Sequence, residues 1–217
     1  MRKDTQSQRI DYIRQVFVPE DEALARVGKD LPIEEQRMQI GPDEGKILFC
    51  LARMIGVKKA VEIGVLNGYS SIWLARALPE GGKLYSLEKN YKRIQPSLAN
   101  FKACGVADKI ELIEDSALTT LAKLEAEAPF DLVFIDADKC NYCNYLDWAE
   151  KNVRKSGLII GDNAFFFGAV YGDLSREANP DTIKVMQEFN RRLGDPAKYS
   201  GIMLPTAEGL TIAVKEF

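Results

Sequence analysis

Four short stretches hold the residues with the types and spacing to do chemistry. FIDADK, residues 134–139, closes an apolar run with Asp136, Asp138 and Lys139. LIIGDN closes a second with Asp162 and Asn163. VEIGVLNGYS sets Glu62, Gly64 and Gly68 after a third, and LEKN ends a fourth in Glu88. Carboxylates and amines are among the side chains least often buried unpaired, so these ends are either solvated caps or parts of a site at the mouth of a sheet. If the runs ending in Asp136 and Asp162 are neighbouring strands, Asp136, Asp162 and Asn163 converge on one point. Three oxygen donors without imidazole or thiolate select a hard cation, Mg²⁺, Mn²⁺ or Ca²⁺. About three of its six positions would stay open, enough for two substrate oxygens and a water.

The glycine turn speaks to a second ligand. Its spacing is G-x-x-x-G, neither the G-x-G-x-x-G of a dinucleotide site nor a phosphate loop. In open α/β sheets, ligands bind beyond the carboxyl ends of the strands, and an acid at the end of the next strand, here Glu88, accepts from both ribose hydroxyls. A nucleoside without a pyrophosphate fits best, S-adenosylmethionine (SAM) being the common one, with Glu62 expected near its positive amino group. There is no histidine in the chain. Ser-His-Asp triads, His-ligated zinc and imidazole bases are excluded, and proton transfer falls to Asp, Glu, Lys, Tyr, Cys or a metal-bound oxygen.

These residues need elements to position them. Residues 1–40 read as a helical cap broken near Val18-Pro19 and Leu31-Pro32. GPDEGKILFCLARMIGV reads as an amphipathic helix with Pro42 in its first turn and Ile47, Leu48, Leu51 and Ile55 on one face. From there short apolar strands alternate with helices, the sign of a parallel sheet covered on both faces. The tail, YSGIMLP and GLTIAVKEF around TAE, reads as a hairpin. The expectation is one domain over 1–217, with a cap over 1–40 and an α/β core over 41–217: a doubly wound, mostly parallel, seven-stranded Rossmann-like sheet ending in an antiparallel hairpin.

The bulk numbers agree. The chain has 217 residues, 46% hydrophobic, a net charge of −3 and a pI near 5.3. That is enough for a sizeable core, and it gives no basic footprint for nucleic acid. No stretch approaches the ~20 apolar residues of a membrane span. The first residues lack a signal-like apolar region, and the four cysteines lack framework spacing, so reduced thiols in a cytoplasm are expected. Cys140-x-x-Cys143 has no second pair or histidine to complete a zinc site. Trp73 and Trp148 fall at sheet-facing helical positions. Phe165, Phe166 and Phe167 suit either an aromatic acceptor or inward packing.

EIGVLNGYS, LEKN, FIDADKCNY and GDN, with MQIGPDEGK upstream and MLPTAEGLTIAVK at the end, resemble the cation-dependent class I SAM O-methyltransferases of the catechol and caffeoyl-CoA type, from about Tyr12 onward. The resemblance implies the metal ligands Asp136, Asp162 and Asn163, with Lys139 as catalytic base beside Asp136. It implies cofactor contacts at Ile40, Glu62, Gly64, Val65, Ser70, Glu88, Ala117 and Asp136. Asp115 and Ser116 stand at the adenine contact, where relatives often carry Gly and a variable residue. Gly68 joins the set from the turn. AFFFGAVYGDLSREANP replaces a Trp-Asn-Gly stretch of plant relatives and is expected to shape the acceptor pocket. The implied activity is methyl transfer to a hydroxyl of a catechol-like small molecule by a cytoplasmic homodimer. Two alternatives stand beside it: a methyltransferase for hydroxylated wobble uridine in tRNA, whose binding would fall steeply with salt, and a non-catalytic nucleoside-binding protein.

Overall fold

The structure is a computed structural model and describes residues 6–173 and 177–217. Residues 1–5 of the expected cap and 174–176 of the expected acceptor loop lie outside the described residues. A seven-stranded sheet forms from β1 (Lys59–Ile63), β2 (Lys83–Glu88), β3 (Ile110–Glu114), β4 (Phe130–Ile135), β5 (Val153–Gly161), β6 (Tyr199–Leu204) and β7 (Leu210–Lys215), in the order β3-β2-β1-β4-β5-β7-β6. The first five run parallel, and β7 pairs antiparallel with both β5 and β6. Strand order reverses between β1 and β4, the switch point where such sheets bind ligands.

Apolar residues on both pleat faces bury the sheet between two helical layers. Ala60, Leu84, Leu132, Phe134 and Ile160 pack toward α3 (Pro42–Met54), α4 (Tyr69–Ala77) and α5 (Tyr91–Ala103), meeting Leu48, Ile72 and Phe101. Val61, Ile63, Leu87, Val133 and Ile159 pack toward α6 (Ala117–Leu124), α7 (Tyr142–Asn152) and α8 (Pro180–Leu193), meeting Leu121, Tyr145 and Phe189. Full burial of a side chain such as Phe134 contributes roughly 1.5–3 kcal/mol. Trp73 and Trp148 are buried as expected, the latter donating its indole N–H to Leu121 O at 2.7 Å.

Proline punctuates the cap as its chemistry requires. The first helix, α1 (Gln6–Phe17), stops short of Val18-Pro19, and Pro32 caps α2 (Ile33–Gln36). Pro42 opens α3 at a position whose N–H needs no partner. Pro96 sits well inside α5, which continues through it.

The parallel register levels the strand ends. Gly64 N donates to Leu87 O at 3.0 Å, Asp136 N to Ile63 O at 2.9 Å and Asp162 N to Ile135 O at 3.0 Å. Each bond lies one residue beyond the ladder, so the chain leaves β1, β4 and β5 along one edge. Gly64 has φ +95° there, and a Cβ on it would lie 2.0 Å from Asp136 O. Gly64→Ala is therefore expected to lower stability by ~1 kcal/mol or more, through backbone strain and separation of the β1 and β4 ends. Chemical unfolding checks it, and an unchanged midpoint would show that the two loops part freely.

Candidate active site

A cavity of about 1100 Å³ runs along these strand ends. Following the sheet, its wall passes from Asp115 after β3 to Glu88 on β2, Gly64 and Val65 after β1, Asp136 and Lys139 after β4, and Asp162 and Asn163 after β5. Ile40, Ser70 and Ala117 also line it. Most of the expected site residues are thereby brought together around one space.

Three are not on that wall. Gly68 caps α4 at φ +88°, and a Cβ on it would meet Phe101 at 2.3 Å, so it serves the turn and close packing. Ser116 caps α6 through its hydroxyl, which accepts from Thr119 N. Glu62, expected beside the cofactor's amino group, is fully buried one layer below. It accepts from Ser70 Oγ at 2.5 Å, from Ser86 Oγ at 2.8 Å and from Ser71 Oγ. Ser70 separates it from the cavity. Burial pushes its carboxyl up to about 7 despite the three hydroxyls.

Glu88 is buried and serves the turn as well as the cavity. Its Oε2 accepts from Leu66 N at 3.0 Å and Val65 N at 3.3 Å, and its Oε1 from Asn90 N at 2.8 Å. Arg93 stands 3.7 Å from Glu88 and 3.0 Å from Glu35 of α2, linking Glu88 to the cap. Gln39, also on the wall, accepts from Asn67 Nδ2 at 2.7 Å. Asp115 lines the cavity and pairs with Lys123, whose hydrogen bond holds its carboxyl below the usual range.

The β4–β5 end is the acidic one. Asp162 is buried, and its Oδ1 has no hydrogen-bond partner among the described residues. Burial, then the Asp136 and Glu44 carboxylates, push its carboxyl well above the ordinary value. Burial likewise raises Glu44, which accepts from Gly41 N at 2.7 Å. Asn163 adopts a positive φ of 54° where it turns off β5. Among the described residues no three Cys, Asp or Glu side chains stand together closely enough to hold a metal ion by themselves. The donor set that fits a hard cation is therefore mixed: the Asp136 and Asp162 carboxylates with the Asn163 carboxamide. The orphaned Asp162 oxygen is the observation in its favour.

Lys139 opens a short 3-10 turn, Lys139–Asn141, and its Nζ donates to Asp136 Oδ1 at 3.0 Å and Tyr142 Oη at 2.6 Å. Asp138 has a different task. It accepts from Tyr145 Oη at 2.7 Å, Asn141 Nδ2 and Cys140 Sγ, and stabilises the turn. Cys140 and Cys143 are free thiols, both pushed up by burial, which leaves no activated thiolate. The phenylalanine run divides: Phe166 packs inward, whereas Phe167 lines the cavity and remains 42% exposed.

Sequence reasoning missed Glu44, Gln39, Arg93, Tyr142 and Glu208 on or beside this wall. Only Glu44 carried a usable signal, an acid at the third position of the helix that Pro42 opens, where it caps the helix start.

The sheet order and the level strand ends give an open α/β sheet with a ligand-sized cavity at its switch point. The family model described as O-methyltransferase matches residues 20–216. A catechol O-methyltransferase of Niastella koreensis is 34% identical over 186 residues, 84% of this chain and 83% of that protein. One from Mycobacterium tuberculosis is 36% identical over 82% of both chains. Among solved structures, an O-methyltransferase of Bacillus cereus in complex with SAH is 32% identical with a TM-score of 0.83, covering 95% and 96% of the two chains. An O-methyltransferase of Streptomyces achromogenes involved in tomaymycin synthesis, in complex with SAM, is 29% identical with a TM-score of 0.86, covering 99% and 100%. The chain belongs to the O-methyltransferase family and is a SAM-dependent O-methyltransferase. No described helix is long and apolar enough to cross a membrane.

Glu62 gives this site a pH signature. A carboxyl whose pKa is higher folded than unfolded binds its proton more tightly in the folded chain. Its stabilisation is complete below the unfolded value of 4.5 and is lost as pH rises through about 7. Glu62→Gln, which stays neutral, is expected to flatten the fall in ligand-free stability between about pH 5 and 7. Unfolding midpoints for both proteins across that range check it, and parallel curves would mean that Glu62 is ionised throughout.

Proposed function

We propose that this enzyme methylates one hydroxyl of a catechol-like, vicinal dihydroxy aromatic acceptor, with a divalent cation held by Asp136, Asp162 and Asn163. The unpartnered, buried Asp162 Oδ1 beside Asp136 and Asn163 carries the reading. The printed names of the catechol and caffeoyl-CoA relatives support the acceptor class. A cation bound there would lower the pKa of a phenol and hold two adjacent oxygens.

The chain's own residues have separable tasks. Glu88, Val65 and Ile40, with Asp115 and Ala117 toward β3, would hold the nucleoside at the β2–β3 end. This leaves the sulfonium over the β1–β4 switch and the acceptor toward β5, where Phe167 offers an aromatic wall. Lys139 Nζ would take the hydroxyl proton. The oxygen lone pair then forms the bond to the methyl carbon as the C–S bond breaks, its electrons passing to sulfur and leaving S-adenosylhomocysteine. Orientation of the two reactants within one cavity would supply most of the acceleration.

Two experiments test this. Calorimetry should detect Mn²⁺ binding that Asp162→Ala abolishes while SAM affinity persists, and turnover should stop with EDTA and return with Mg²⁺. Full turnover in EDTA would falsify the cation assignment. Lys139→Met should lose ~10²–10⁴-fold in kcat with cofactor affinity unchanged, the range of a general base. Parent-like kcat at neutral pH would leave Lys139 as a partner of Asp136 only.

A further inference from the structure

The geometry points to Tyr142 as the positioning residue that fixes the Lys139 amine at the cavity wall. The inference rests on Lys139 being the base. Tyr142 opens α7 and is completely buried, its ring edge-on to Phe189 with centroids 5.0 Å apart. It does not line the cavity, whereas Lys139 does. Its hydroxyl lies 2.6 Å from Lys139 Nζ, 3.1 Å from Ile135 O and 3.0 Å from Asp162 O.

Proton counting decides what that hydroxyl can do. Ile135 O and Asp162 O are carbonyls and can only accept, so the single phenolic hydrogen is committed to them. Toward Lys139 the phenol oxygen can then only accept. Tyr142 Oη and Asp136 Oδ1 each accept from the Lys139 amine, which borders the cavity. The carbonyls of the β4 and β5 ends thus fix the polarity of the contact as well as its position.

The same bonds remove Lys139's freedom. A lysine amine sits on a flexible four-carbon stem and samples many rotamers when unrestrained. Here it is held from two sides, by a carboxylate three residues back and by a phenol one turn ahead. Misplacement by about 1 Å can cost on the order of 10²-fold in rate.

The test is a double-mutant cycle of Lys139→Met and Tyr142→Phe on the full-length enzyme, with SAM saturating, a catechol as acceptor and Mg²⁺ present. Tyr142→Phe keeps the ring and removes only the hydroxyl. Expected is a loss of ~10–100-fold in kcat with the acceptor KM and SAM affinity within about threefold, and a further change of less than about twofold when Lys139 is already Met. Parent-like kcat in Tyr142→Phe, with Lys139→Met impaired, overturns the role of Tyr142 and leaves the base intact. Equal losses in both backgrounds also overturn it, since the hydroxyl would then act through something other than Lys139. So does a Tyr142→Phe protein that no longer binds SAM, whose hydroxyl would be a strut of the whole strand-end layer. Parent-like kcat in Lys139→Met removes the base itself, a separate result.

Discussion

The parallel register of β2, β1, β4 and β5 is the constraint on which everything else rests. Hydrogen bonds one residue past the ladder bring Gly64, Asp136 and Asp162 off the sheet at the same height. A one-residue slip of β4 against β5 would reverse the faces of a whole strand and carry Asp136 away from Asp162. Because apolar side chains occupy both faces, such a slip would still leave a greasy strand, so burial alone fixes the register weakly. The hydroxyl of Tyr142 lies between the two ends, donating toward the last carbonyl of β4 and the first one beyond β5.

That level edge concentrates charge of one sign. Asp136 and Glu44 raise the cost of ionising Asp162, Asp136 adds to that of ionising Glu44, and Lys139 is the only cation hydrogen-bonded to Asp136 among the described contacts. Clustering of buried carboxylates works against stability, and proteins retain it where function requires it. At the opposite end of the cavity the balance differs: Arg93 and Lys123 pair with Glu88, Glu35 and Asp115. The cavity is thus electrostatically uneven along its length.

How far the sequence disclosed this depends on the kind of signal each residue carries. Asp136, Asp162 and Glu88 were legible because an apolar strand stopped at them. Strand order followed from repeated βα units, and the hairpin from two β-rich runs around a short turn. Glu62 was misplaced for want of attention to the pleat. It shares a face with Ala60, not with Val61 and Ile63, and that face looks at α4 rather than at the strand end. Gly68 was assigned to the ligand because a glycine before a helix suits both close approach and a left-handed cap, and only the position of Phe101 separates them. Tyr142, Arg93 and Gln39 act through side-chain directions set by contacts distant in the chain, which no local pattern encodes.

The cavity wall also has two origins. Its β2–β3 end and the carboxylate centre come from the parallel strands, whose register admits little change. The remaining wall comes from segments added around them: Arg14 on α1, Met38 in the cap, Phe167 after β5 and Glu208 in the β6–β7 turn. These segments meet the cavity without carrying the ladder, so substitutions there leave the strand-end layer standing. Drift in the loops and the cap can therefore reshape that part of the wall while the strand-end layer is kept. Divergence of substrate within such a lineage is then a property of its architecture, open at one end and closed at the other.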